Sequence, residues 1–411
     1  MLIDYWRFAR DHPRFIGFGF LMAFLSSAGQ TYFIGVFGSD IQLEFGLDAG
    51  SWGRTYMMGT LISAVVINWS GSLIDRVDLR WFAACSLLGL SIACLAMAWV
   101  ESALLLIMVI FLLRHFGQGL TSHSGITSMA RYHSADRGKA IALAAIGFAL
   151  GEASLPVAGI YSAGIWGWRS TFTLVAMMVL LSIPVVLWLL KGHSQRHSLH
   201  TEKLQNDATK TASQLSYTRA QALSEGRFYY LLPAMIAPSL IMTAMFFFPA
   251  EIARAKGWST LWVTAHYGLY SFVSVVVTVY SGLLIDRFSA RRIVPIFLLP
   301  LTLGLLSITL GDHRFLVWPF MLCMGITSGL YFTGLSALWA ELYGPKYLGA
   351  IKSLTNAIMV FSSALGPALV GSLLNWGVSF STIMWLLATI CVFATLLLVF
   401  TLREPEAKHS G

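Results

Sequence analysis

Charge is what this sequence lacks most. Of its 411 residues 11% are charged and 57% are hydrophobic, with a mean hydropathy of +0.71. A soluble domain carries roughly 25% charged residues. So few charges cannot cover the apolar surface of a chain this long, and lipid must act as its solvent. Cysteine is scarce too. Cys85, Cys94, Cys323 and Cys391 are scattered through apolar runs with no CxxC or Cys/His ligand spacing, so they read as small hydrophobes rather than a disulfide framework or a thiolate metal site. No GxxxxGK[ST] loop supports ATP hydrolysis. No HExxH, GxSxG or paired-carboxylate site points to an enzyme, and no metal or cofactor is expected. The start, MLIDYWRFARDHPRF, has no secretory pattern. The apolar run from Phe15 to about Phe37 is too long for a signal segment and has no small-residue cleavage site, so it is expected to stay as a span.

What is abundant is long apolar runs. A spanning helix needs about 20 such residues, and twelve runs qualify: roughly 15–38, 52–74, 82–100, 103–130, 139–163 and 168–190, then 228–250, 261–284, 293–310, 315–340, 350–373 and 380–402. Backbone groups in lipid must be bonded within their own segment, so each run is predicted to be a helix. The predicted fold is all-α and integral to the membrane, with two pseudo-symmetric six-helix bundles at 1–190 and 228–403, a linker at 191–227 and a tail at 404–411. An even number of spans puts both termini on one side. Arg54, Arg169, Arg254, Lys256 and Arg314 fall on the opposite side and Arg114 inside a span; the rest of the 27 Lys and Arg lie on the terminus side. The positive-inside rule then makes that side, and the linker, cytoplasmic. The net charge of +8 is thus a topology signal, and no nucleic-acid partner is expected. The linker, with QRHSLHTEKLQNDATKTASQ at its centre, reads as a solvated basic connection; His193, His197 and His200 as metal ligands are the alternative.

The two halves echo each other. GSLIDRVDLRW (Gly71–Trp81) and GLLIDRFSARRI (Gly282–Ile293) both place Gly four residues before Asp-Arg, and the same interval, about half the chain, separates Pro156 in LPVAG from Pro367 in GPALVG. Two six-span halves with a GxxxDR turn between spans two and three of each resemble the major facilitator superfamily over essentially the whole chain, in a bacterial form. The turn is similar to that family's signature, G-x-x-x-D-R/K-x-G-x-R/K-R/K. Its first copy supplies Gly71, Asp75, Arg76 and Arg80, with Asp78 at the second Gly position. The other supplies Gly282, Asp286, Arg287, Arg291 and Arg292, with Ser289 there. RHFGQG, Arg114–Gly119, looks like the family's fourth-span motif. The resemblance implies two halves rocking around a midplane site, each with a cytoplasmic latch. Gly71 and Gly282 would admit a neighbouring helix, Asp75 and Asp286 would face a helix N-terminus, and Arg76 or Arg287 would pair across the turn. The alternative is that these charges only anchor a loop among lipid headgroups.

Charges inside spans are costly and usually functional. Arg114 in the fourth span and Glu152 in the fifth fall at similar depth and could pair, either as a structural tie or as a site for substrate or proton. Arg114, Gln118, Thr121, Ser122 and Gly125 form one polar stripe at helical spacing. GFALG, Gly147–Gly151, reads as close helix packing. Gln30, Tyr32, Asn68, Tyr267, Tyr270, Tyr331 and His266 are further polar residues within spans, each of which can equally serve interhelical hydrogen bonding. Length and the Gly-rich first span, GQTYFIGVFG, distantly resemble the monocarboxylate and oxalate carriers. Members of that group use an Arg in the eighth span for the carboxylate; LWVTAHYGLYSFVSVVVTVYSGLL has no Arg or Lys, so Arg114 would take the role.

The expectation is a secondary active transporter moving a small organic anion in symport with a proton, with Arg114, Gln118, Glu152, Gln30, Tyr32, Tyr270 and Tyr331 as substrate or coupling residues. It would act as a monomer in the lipid bilayer of the bacterial inner (plasma) membrane. The alternative is an efflux pump for a drug or siderophore-like amphipathic metabolite.

Overall fold

The computed structural model describes residues 2–133, 136–193, 217–344 and 347–403, without the side chains of Leu2, Ile3, Asp75 and Arg403. The linker's centre, with His197 and His200, and the tail 404–411 lie outside the described residues. Described residues form helices and turns with no strand among them. Among the described residues eleven helices are long and apolar enough to cross a membrane, and a bent pair, Pro13–Gly29 with Thr31–Phe45, makes a twelfth if it is one span. The second to sixth spans are Ala49–Ile74, Leu79–Trp99, Ala103–Tyr132, Arg137–Trp166 and Trp168–Leu189. The seventh to twelfth are Gly226–Phe247, Thr260–Phe288, Ala290–Ser307, Arg314–Tyr343, Leu348–Asn375 and Phe380–Leu402. A short helix, Leu2–Asp11, precedes the first.

The ends of these helices are set by local chemistry. Free N–H groups at a helix start take a side-chain acceptor. Asp48 accepts from the Ser51 N–H at 2.6 Å ahead of the second span, and Ser102 from Leu105 at 3.2 Å ahead of the fourth. Apolar side chains such as Leu104, Leu181 and Phe400 are exposed, as a surface that meets lipid allows. Trp81, Trp99, Trp166 and Trp376 are exposed near span ends, where amphipathic rings favour the headgroup layer.

Packing divides the chain into two compact units. One holds the first six spans together with Phe246–Ala250 and Thr260–Gly268; the other holds the remainder of the later spans. In the first unit the fifth span lies against the first. A Cβ on Gly147 would collide with the Phe20 carbonyl and one on Gly151 with the Ser27 hydroxyl, so GFALG is a helix-packing face, as its spacing predicts. In the second unit Gly366 of the eleventh span meets the Leu240 carbonyl of the seventh in the same way.

Candidate substrate site

Two helix defects create the polar centre of the first unit. The first span tightens to a 3-10 turn over Ser26–Gly29, and Gln30 is then extended at φ −86°, ψ 154° before the helix restarts at Thr31. The halves of that span meet at 44°. Facing the break, the fourth span widens into a π-helix over Arg114–Thr121, a distortion that tends to mark functional positions. The defects touch through Gly29 and Gly117, whose backbones leave no room for a Cβ on either.

Carbonyls at a helix end lack intrahelical donors. Arg114 supplies one, donating to the Gly29 carbonyl at 3.2 Å and to the Thr31 hydroxyl at 3.3 Å. Its guanidinium lies 5.3 Å from the centre of the Tyr56 ring, whose hydroxyl is hydrogen-bonded to Thr31. Tyr32 donates to Ser27 at 2.7 Å. Arg114 is 2% exposed, and its Nε has no acceptor among the described residues.

Among the described residues no ion pair joins Arg114 to Glu152, the pair expected from their depth; the hydrogen-bond partners of the guanidinium are Gly29 and Thr31. The break in the first span brings a carbonyl and a hydroxyl to the guanidinium, so Arg114 turns toward the first and second spans. Glu152 is half-buried on the fifth span, close enough to Tyr267 to act on it electrostatically. Of the predicted stripe, Arg114 and Thr121 are buried, Gln118 and Ser122 are half-buried, and Gly125 packs against Gly19 and Met22. Gln30 is half-buried at the break itself. Thr31, Tyr56 and Ser27 were not singled out from sequence; the polar run SSAGQT inside an otherwise apolar span is the signal that could have found Ser27 and Thr31, and Tyr56 in the second span carries no such signal.

In the second unit Tyr270 donates to Ser328 at 3.0 Å, and Tyr331 donates to the Met235 carbonyl at 2.6 Å while stacking on Phe297 at 5.8 Å. Tyr331 also shares a 2.9 Å hydrogen bond with Ser239. Both hydroxyls tie helices together. Asn68 bonds the Ala64 and Val65 carbonyls of its own helix, and His266 bonds Trp262.

The paired turns differ from expectation. Within their units no neighbouring helix presses on Gly71 or Gly282: a Cβ on the first meets only Ile67 of its own span, and one on the second meets open space. The Asp75 side chain lies outside the described residues. Asp286 and Arg287 are exposed, and Arg287 lies over Phe288 rather than pairing across the turn. Arg76 is exposed as well. The third span is instead capped by Asp78, which accepts the Arg80 N–H at 2.8 Å and meets the Arg80 side chain at 3.4 Å. Residues from the fourth and tenth spans complete the turns. Arg131 donates to the Ile74 carbonyl at 3.2 Å, while Glu341 accepts the N–H groups of Ala290 at 2.7 Å and Arg291 at 3.2 Å. Glu341 was missed because it reads as an ordinary helix-end charge in AELYG.

Among the described residues, a dozen apolar spans with a cation buried within one of them define a multi-pass membrane protein. The profile of the Major Facilitator Superfamily matches residues 19–358 and 232–411, and the chain belongs to that family. Multidrug resistance protein MdtH of Shigella flexneri serotype 5b (strain 8401) is 24% identical over 156 residues, which is 38% of this chain and 38% of that protein. The MdtH of Escherichia coli O1:K1 / APEC matches over the same share. The nucleoside transporter NupG superposes with a TM-score of 0.71 at 13% identity, covering 95% of this chain and 100% of NupG. A bacterial homolog to the human lysosomal transporter Spinster, in an inward-facing and unoccupied conformation, gives 0.65 at 14% identity over 95% and 94%. At these identities the likeness to solved structures concerns the fold.

Proposed function

We propose that this transporter carries a small organic anion together with a proton by alternating access. One observation supports the reading above all: Arg114 is buried, and a carbonyl, a hydroxyl and an aromatic ring are its partners. A cation held by neutral groups in a low-dielectric interior attracts a negative ligand strongly. Glu152, half-buried in the neighbouring fifth span, is the proton carrier under this reading. A negative substrate beside Arg114 and a proton on Glu152 favour one another, which is the linkage symport needs. Gln30, Gln118, Tyr32, Tyr270 and Tyr331 would shape the site, and Asp75 and Asp286 would hold the latch. The Lys/Arg bias supports cytoplasmic termini, and a monomer in a bacterial plasma membrane is the expected setting. Counterflow in proteoliposomes tests the reading. Arg114→Met should abolish exchange of organic anions, and Glu152→Gln should keep exchange but lose uptake driven by a proton gradient. Anion exchange at the wild-type rate in Arg114→Met would end the proposal. Export of an amphipathic compound is the second reading, favoured by the partial match to proteins named for multidrug resistance.

A further inference from the structure

On the terminus side of the first unit, three histidines from separate parts of the chain pack into one aromatic cluster. His12 opens the first span, His133 follows the fourth, and His193 follows the sixth, where the linker begins. The His12 and His133 rings lie 4.9 Å apart. Phe8 is 5.1 Å from each of them, and Phe15 is 5.6 Å from His133 and 6.3 Å from His193. His193 closes the cluster edge-on to Tyr132 at 5.0 Å. The second unit has a counterpart at the linker's other end. Tyr217 packs edge-on to Tyr343 at 5.6 Å, and its N–H donates to the Tyr343 carbonyl at 2.9 Å. Tyr132 and Tyr343 are separated by the same interval as Gly71 and Gly282. The linker thus begins and ends on equivalent tyrosines, next to the Arg131 and Glu341 that complete the two turns. Among the described residues, only the first dock contains histidine.

We propose that the first dock is a proton-operated joint: acidification on the terminus side loosens the linker's start and the Leu2–Asp11 helix from the first unit, while the tyrosine dock at the linker's end stays closed. Neutral imidazoles suit contacts with Phe8, Phe15 and Tyr132. His193 is buried and His133 half-buried, so an imidazolium at either loses hydration, whereas His12 is exposed; two charges at the His12–His133 spacing repel each other. Charged groups of both signs surround the cluster. Asp78 is within electrostatic reach of His193 and can stabilise one proton, but it already pairs with Arg80. Arg131 adjoins Tyr132 and bonds the Ile74 carbonyl. Arg14 lies over Trp188, and Lys191 is exposed two residues before His193. Asp4 of the short helix faces Lys139, which is paired with Asp136. The second dock has Glu225 and Arg227 nearby.

Hydrogen exchange of the intact protein in detergent or nanodiscs tests this. As pH falls below about 6.5, the ordinary histidine value, amides of Leu2–Asp11 and Leu190–His193 should lose protection. The loss, corrected for intrinsic chemistry, should approach about tenfold per pH unit for each linked proton. Amides of Arg219–Ser224, beside the tyrosine dock, should not change. This wild-type comparison needs no variant. Equal pH responses at the two docks, or none at the first, would overturn the proposal. The combined His12→Gln, His133→Gln and His193→Gln variant should lack the acid step, and persistence of the step in that protein would overturn it equally. The outcome does not depend on which substrate is carried.

Discussion

Ser289 should be improved by removing its side chain. It sits at φ 69°, ψ 153° and is the non-glycine residue with positive φ among those described. That region is almost reserved for glycine, and holding another residue there costs about 1–3 kcal/mol. The neighbouring contacts impose the conformation: the chain must turn so that the N–H groups of Ala290 and Arg291 reach the Glu341 carboxylate. Ser289→Gly removes the strain but loosens the unfolded chain, a loss of about 0.5–1 kcal/mol. The balance is a gain of about 1 kcal/mol, or about 2–4 °C for a unit of this size. The first copy behaves oppositely. Asp78 has an ordinary φ of −55° and uses its side chain as the cap, so Asp78→Gly should lower stability by a few tenths of a kcal/mol. Thermal unfolding in detergent, followed by labelling of the buried Cys94 and Cys391 thiols, reads both. Ser289→Ala is the control, because any Cβ suffers the same strain and should leave the midpoint unchanged. A gain in Ser289→Ala equal to that in Ser289→Gly, or no gain in Ser289→Gly, refutes the reasoning.

Other substitutions test other contacts. Glu341→Ala leaves two N–H groups without a charged acceptor and should cost about 1–3 kcal/mol, seen as a lower thermal midpoint. Gly29→Ala and Gly117→Ala each drive a methyl into backbone, and both should lower the midpoint sharply and abolish substrate binding, measured by ligand-induced thermal shift. Arg169→Ala removes donors to the Ala98 and Val100 carbonyls and to Glu44, for an expected loss of about 1–3 kcal/mol; Arg169→Lys should recover part of it, because a single ammonium cannot reproduce the fork. Asp75→Asn and Asp286→Asn should express normally, since insertion is governed by the apolar runs, yet lose most flux in vesicles; wild-type flux in both would remove the latch assignment.

The spans were legible because lipid leaves the backbone one local solution, and an apolar run of sufficient length states it directly. The predicted 103–130, 168–190 and 380–402 fall on Ala103–Tyr132, Trp168–Leu189 and Phe380–Leu402. The repeated turn was legible for a related reason: charged residues in register are conspicuous in a chain so short of charge. What each charge does was not. Sequence placed Asp286 against a helix N-terminus, but Glu341, about fifty residues later, holds the N–H groups of Ala290 and Arg291. An acceptor's identity depends on which helix end arrives beside the turn, and spacing along the chain carries no record of that.

The Arg114 site was half legible for the same physical reason. A lone arginine among apolar residues announces itself. Its natural partner on paper was the nearest carboxylate at equal depth, because burial demands compensation for the charge. The structure compensates with backbone instead. Opening the first span at Gln30 sets the Gly29 carbonyl at a helix end, and widening the fourth span over Arg114–Thr121 accompanies the approach that lets Arg114 reach it. Neither defect is written as a charge; each rests on small residues, Gly29 and Gly117, that read as ordinary helix packing. The same arrangement leaves the cation with neutral partners. A carboxylate at the guanidinium would have met the need that a substrate anion is proposed to meet, so the pairing that sequence favours is the one a binding site for an anion should avoid.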